Sequence, residues 1–415
     1  MKIVHLSLHD RYGGACIAAY RQHTALRQAG VDSQMWVRFK VTNDPHVNAY
    51  TPFPGPLVRA KRIFNRYFLR YQHKKFVRQG VFLDDRSEHG GIELVMMPAA
   101  DVVNVQSFWK FIHLPSLLKS IPASVPVVIT MHEMAPFTGG CDYAGNCSRF
   151  QQQCGNCPLM GGASEVDLSR RSWQRKFAVY HSRPAGKIHF VADSHWLAAE
   201  AKRSGLLAGL PVSVIHYGLD TEVYRPMDRA FARTVLGIPV AVPVVSFAAA
   251  NVDDRRKGVR HLIEAIQSMT VKPFLLTWGR NFPPMLGSIA HRHLGNIESE
   301  HMMSLAYNAT DVFVMSSLEE AFGQTALEAI ACGTPVAAFA AGGIPDIVRH
   351  EQTGLLASVA DSRQLSAAIA RILGDRDLWN RLSLGGRKWA LEEFTMELNA
   401  RRHLELYHSL LHNVV

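Results

Sequence analysis

Two carboxylates, Glu320 and Glu328, stand eight residues apart with a Phe322-Gly323 step between them. Carboxylates accept hydrogen bonds from hydroxyls, so the pair can hold a polyol at two places. Residues 312–317, Val-Phe-Val-Met-Ser-Ser, read as a short buried parallel strand. Residues 324–332 are rich in Ala, Leu and Glu and predict a helix starting near Gly323. The N–H groups and dipole of a helix start attract anions, phosphate above all. Gln324 and Thr325 open that helix, and Glu328 lies one or two turns inside it. The pattern suits a ligand with two polyol ends and a charged middle. Spacing alone leaves a loop Glu and a helix-surface Glu equally open, because such pairs are common.

Three other groups of residues invite chemistry. Arg256 and Lys257 precede the predicted helix 259–267 and can hold a diphosphate, Lys as a point charge and Arg as a fork; a solvated basic turn is the alternative. His132 ends the strand-like run 127–131, at the carboxyl end where α/β sites lie. With 20 histidines in the chain, a structural or surface role is the common alternative for any one of them. Gly13 and Gly14 follow the opening strand Ile3-Val-His-Leu-Ser and precede a helix, either as a ligand loop or as a plain turn.

Cys141, Cys147, Cys154 and Cys157 fall in one loop with spacing C-x5-C-x6-C-x2-C. Cys-Gly-Asn-Cys is a good half-site for tetrahedral zinc, and four thiolates close a structural site. Free thiols and disulfides remain the other two readings. Residues 56–80 carry eight Lys or Arg and no acid, with Ile63, Phe64, Tyr67, Phe68 and Tyr71 at helical spacing. A basic amphipathic helix reads as a surface for anionic membrane. A helix packed on its own domain with a solvated basic face is the alternative.

The elements that must position these residues follow from length and pattern. At 415 residues two domains are expected, and 47% hydrophobic content fills two ordinary cores. Alternating β-rich and helical stretches argue for parallel sheets wrapped by helices. No apolar run reaches membrane-spanning length and Met1 leads directly into a strand, so neither a transmembrane helix nor a secretory signal is expected. The expected location is cytoplasmic, peripheral on the inner face of the membrane. The net charge of +10 leans toward anionic partners.

Residues 319–349 closely resemble the signature of the family 4 retaining glycosyltransferases, and the likeness runs in order from Met1 to about residue 395. The resemblance implies an α/β GT-B fold: two Rossmann-like domains facing across a cleft, with a C-terminal helix crossing back to the first. It implies an acceptor-side domain at 1–218, joined by 393–415, and a nucleotide-sugar domain at 219–392. By resemblance, Glu320 contacts the donor sugar and Glu328 the ribose. Gly13 and Gly14 face the diphosphate, and Asn296 and Ile297 lie at the base. His132 orients a sugar hydroxyl and shields the developing oxocarbenium charge. The glycines of Phe322-Gly323 and Gly342-Gly343 let backbone approach the ligand closely. Asn251 stands where the family often has Arg, six residues before Lys257, so Arg255 or Arg256 must supply that diphosphate contact.

The resemblance further implies a UDP or GDP sugar donor and a glycan or lipid-linked acceptor, with no catalytic cofactor. The cysteine loop is similar to an exopolysaccharide and O-antigen subgroup, which points to bacterial surface polysaccharide and to a structural Zn2+ beside His132. Two rivals come from other classes. One is a GT-B-fold nucleotide-sugar epimerase. The other is a zinc-stabilised nucleic-acid-binding protein, for which no recognition module is present.

Overall fold

Apolar, β-rich runs alternate with helices along the chain, and they assemble into two parallel sheets. The computed structural model describes residues 1–50, 55–77, 80–88, 99–162, 164–252, 254–281 and 289–412. Arg78 of the basic stretch lies outside the described residues. The chain divides into two compact units. Unit 1 is Met1–His216 with Asn399–Val415, and unit 2 is Tyr217–Leu398.

Unit 1 holds β1 (Lys2–His9), β2 (Asp32–Phe39), β3 (Val47–Ala49), β4 (Val102–Val105), β5 (Val127–Met131), β6 (Ile188–Ala192) and β7 (Val212–Val214). They lie in the order β3-β2-β1-β4-β5-β6-β7, with every neighbouring pair parallel. Strands buried on both faces read as continuous apolar runs, and Val127–Met131 is buried throughout. Residues 212–220, a linker by resemblance, begin as the edge strand β7.

Unit 2 holds β8 (Val244–Asn251), β9 (Phe274–Arg280), β10 (His291–His293), β11 (Val312–Met315), β12 (Val336–Phe339) and β13 (Gly354–Ala357). Their order is β10-β9-β8-β11-β12-β13, again parallel throughout. In both sheets the first strand lies inside, third from one edge, and the order reverses beside it. Open α/β sheets bind ligands outside the carboxyl ends at that reversal. The crevices to inspect are therefore at β1/β4 in unit 1 and at β8/β11 in unit 2.

The C-terminal stretch 378–411 is helical, as two helices, Arg376–Glu393 and Met396–His412. The break falls at Phe394, whose side chain is fully buried and whose carbonyl accepts from Leu219 N at 2.7 Å. The second helix sends Tyr407 into unit 1, where its hydroxyl accepts from Gln22 (3.0 Å) and Asn104 (2.8 Å).

Candidate functional site

In unit 2 three loops meet at the β8/β11 reversal. The loop after β8 carries Asp254-Arg255-Arg256-Lys257 as a single 3-10 turn, and Asp254 caps it by accepting from Arg256 N. Gly258 follows at φ 63°, and a Cβ there would lie 2.0 Å from Ser316 O, so only glycine lets the β8 and β11 loops close together. Leu318 N donates to Arg256 O (2.6 Å) and Ser316 Oγ to Lys257 O (2.9 Å), which fastens the two loops. The third loop, after β12, carries Gly342 at φ 55°. Its Cβ would stand 1.9 Å from Glu320 O, and Gly343 N donates to that same carbonyl at 2.9 Å. The missing side chain of Gly342 thus lets the backbone of Glu320 approach this loop.

These contacts fix the two long-separated charges. Lys257 Nζ donates to Glu320 Oε2 at 2.5 Å, and Ser317 Oγ donates to the same oxygen at 3.3 Å. Both charged side chains are partly accessible. Phe322 is 2% exposed and packs edge-on against Tyr217 and Phe394. Its ring is thus an anchor for the loop rather than a surface for a ligand. Gly323 at φ 107° starts the helix Gln324–Ala331, whose first turn has no side-chain cap and no basic residue. Gln324 and Thr325 are half-buried at that start.

Glu328 is 5% exposed, inside the helix rather than on its surface. Tyr307 Oη donates to its Oε2 at 2.9 Å. Burial, with the Glu328 charge second, holds the Tyr307 phenol well above its ordinary range, so the hydroxyl stays a donor. Arg256 is tied to Asp254 within its own turn at 2.7 Å. Asn251 ends β8 and accepts from Asn281 Nδ2 at 3.0 Å. Ile297 is half-buried beyond β10, and Asn296 beside it is exposed.

In unit 1, Gly13 (φ 85°) caps the helix Gly14–Gln28 after β1. His132 follows β5 and is 8% exposed, with its Nε2 3.0 Å from Gln106 Oε1. Gln106 in turn donates to Gln22 (2.7 Å), and Gln22 to Tyr407. Thr130 donates to Asn104, which donates to the same hydroxyl. This buried polar chain orients the imidazole, and burial pushes its pKa down to about 3. The ring is therefore neutral at physiological pH. Sequence spacing gives no hint of this chain, because its members come from two helices, two strands and the turns that follow those strands.

The four cysteines of the 139–157 loop form no disulfide and line one cavity of about 20 Å3. Gly139 N donates to Cys154 Sγ at 3.1 Å. Burial pushes the Cys141 and Cys154 thiols up to about 12, and the neighbouring cysteines push the same way.

Helix Pro56–Phe76 is inverted relative to an ordinary surface helix. None of its residues is buried. Its inner stripe is mainly polar: Asn65 donates to Glu88 O, Arg66 pairs with Glu88, and Gln72 accepts from Arg86. Its aromatic stripe points outward, with Phe64 67%, Tyr67 66% and Tyr71 59% exposed. Among the described residues no helix is long and apolar enough to cross a membrane.

Comparison with known proteins agrees with this geometry. Residues 286–389 match the family described as glycosyl transferases group 1. The alpha-maltose-1-phosphate synthase of Mycolicibacterium smegmatis is 27% identical over 340 residues, 74% of this chain and 79% of that protein. The solved sucrose-phosphate synthase of Thermosynechococcus elongatus superposes with a TM-score of 0.69 at 23% identity, over 99% of this chain and 98% of its own. Anabaena HepE, solved in complex with UDP-glucose, gives 0.66 at 17% identity, over 99% of this chain and 100% of its own. At these identities the solved structures speak for the fold. Relatives and fold together make this chain a glycosyltransferase with the GT-B fold, and its segment 286–389 is similar to the group 1 family.

Proposed function

We propose that the chain transfers a sugar, with retention of anomeric configuration, from a nucleoside-diphosphate donor to a glycan or lipid-linked glycan. The observation that carries this is the Lys257–Glu320 pair at the β8/β11 reversal, beside the uncapped start of Gln324–Ala331. A diphosphate arriving at that helix start meets the Lys257 ammonium and the exposed Arg255 fork. Lys257 then turns from Glu320 to the phosphates, and the released carboxylate takes a sugar hydroxyl. Glu328, which accepts from Tyr307, holds the ribose. His132 is neutral and serves as an oriented dipole, not as a general base.

The donor class draws support from HepE, which shares the fold and was solved with UDP-glucose. Developing charge on the leaving diphosphate is stabilised by Lys257 and the helix dipole. The departing phosphate oxygen takes the proton of the acceptor hydroxyl as it attacks the same face. Bacterial surface polysaccharide is the proposed context, on the likeness of the cysteine loop.

Two supporting sites belong to the same reading. A structural Zn2+ on the four cysteines draws support from their spacing and from the small cavity they share, with the Gly139 N–H on Cys154 favouring thiolate; no three of their sulfurs lie within 4.8 Å of one another, so the metal would have to draw the loop inward. The outward aromatic stripe of Pro56–Phe76, with exposed Arg59, Lys61, Lys74 and Lys75, fits an anionic membrane surface.

The test is a donor-turnover assay with UDP- and GDP-sugars, following nucleotide release and sugar configuration by NMR. Release of nucleoside diphosphate by the wild type, with retained configuration and loss of release in Glu320→Gln, is expected. Equal turnover in both proteins overturns the reading. Conversion of the donor to another sugar without nucleotide release would favour the epimerase.

A further inference from the structure

A cavity of about 970 Å3 lies wholly within unit 1, outside the carboxyl ends of β1 and β2, and helix Pro56–Phe76 forms one wall. Its volume is at the upper end for a small-molecule site and far exceeds one phosphate. Its lining charges do not balance. Arg38, Arg66, Arg70, Arg86 and Lys110 face two carboxylates, Asp84 and Glu88. Both carboxylates are already shared. Glu88 takes Arg38 (2.6 Å) and Arg66 (2.5 Å), and Asp84 takes Arg86 (2.7 Å) with Arg175 at 3.7 Å.

Arg70 and Lys110 have no carboxylate partner among the described residues. Lys110 sits at φ 57°, a backbone conformation uncommon for a side chain of its size. That conformation places its ammonium 3.9 Å from the centre of the Trp109 ring, and its carbonyl accepts from Arg38. Burial first, then the Arg38 and Arg70 guanidiniums, push the Lys110 ammonium below its ordinary range. Like charges crowded in a half-closed cavity repel one another until an anion enters.

We infer that this pocket binds the phosphate or diphosphate group of the acceptor. Guanidinium forks and an ammonium match phosphate oxygens in geometry and charge, and the remaining volume admits a sugar attached to it. The wall helix presents Arg66 and Arg70 to the cavity and its aromatic stripe to the outside. A lipid diphosphate and a soluble sugar phosphate share the recognised chemistry. The inference rests on the transferase reading for the word acceptor, and because Gly13 of the β1 loop also lines the cavity, the test silences the donor site.

The experiment is calorimetric titration of the full chain with inorganic pyrophosphate at constant ionic strength. It is run in Lys257→Ala, and in wild type saturated with UDP, so that the donor site contributes nothing. One saturable site is expected. Arg70→Ala with Lys110→Ala should weaken it at least tenfold, given the strength of charge-assisted hydrogen bonds. Lys110→Arg should restore most of the binding, and Lys119→Ala, exposed elsewhere in unit 1, should change nothing. A short-chain prenyl diphosphate and glucose 1-phosphate then identify the source, since the tighter of the two marks a lipid-linked or a soluble acceptor. Absence of a saturable site, or equal binding in the double variant, overturns the inference. If UDP binds Lys257→Ala as tightly as wild type, the donor reading fails while the pocket result stands.

Discussion

Glu320 and Lys257 lie 63 residues apart in the chain and 2.5 Å apart in space. An ion pair at a ligand crevice is a stored exchange, in which each partner leaves the other for a ligand group of matching charge. Glu320→Gln should therefore keep the fold and nucleotide binding but lower turnover on the order of 10²- to 10³-fold, measured as donor consumption per enzyme. Glu328 behaves differently because it is buried with a phenolic partner. Tyr307→Phe removes that donor and should cost about 1–3 kcal/mol by denaturant unfolding, together with weaker nucleotide affinity. An unchanged midpoint would mean that Glu328 finds another donor. The eight-residue spacing of the carboxylates is visible in the sequence, but its meaning is not. Burial of Glu328 and capture of Glu320 by Lys257 depend on which strands neighbour one another, and no local pattern encodes that. The same holds for the unit 1 cavity, whose Arg38, Arg70 and Lys110 come from a strand, a helix and a loop.

The loops after β8, β11 and β12 act as one element, held by glycines whose missing side chains let backbone touch backbone. Gly342→Ala forces a Cβ into the Glu320 carbonyl and should cost about 1–3 kcal/mol, with a larger loss of donor affinity than of stability. Calorimetry with the preferred nucleotide beside thermal unfolding separates the two. The apolar runs of β1, β4, β5, β8 and β11 are legible in the sequence because strands buried on both faces must be apolar. The three-residue strands β3, β7 and β10 are not, since so short a run carries no period. Helix Pro56–Phe76 is legible as a helix, but not as one turned outward, because its polar inner stripe finds partners only in residues 84–88. That inversion predicts pelleting with vesicles rich in anionic lipid and not with neutral ones, and Phe64→Ser with Tyr67→Ser should abolish it. The cysteine loop predicts one zinc per chain by metal analysis and a lowered Tm on chelation. Metal-free protein with four titratable thiols would remove the zinc.

At the scale of the whole molecule the two units should respond unequally to acid. Burial pushes His132 down to about 3, His23, His189 and His403 to about 4, and His5 well below its ordinary value, all in unit 1. A histidine depressed in the native state takes up its proton only on unfolding. Between about pH 6.5 and 4 the unfolded chain thus binds more protons, and stability falls as pH falls. Unit 1 should accordingly lose protection from hydrogen exchange before unit 2 on acidification, and simultaneous loss would contradict this. The fold class follows from alternating β-rich and helical stretches, while the placement of the first strand in each sheet appears only in three dimensions. That placement creates the crevice on which the donor reading depends. The most direct measurement is calorimetric titration of UDP and GDP against wild type and Lys257→Ala. The account predicts that one of the two binds wild type saturably at one site and that Lys257→Ala weakens it at least tenfold. Binding of neither nucleotide, or equal binding by the variant, would contradict it.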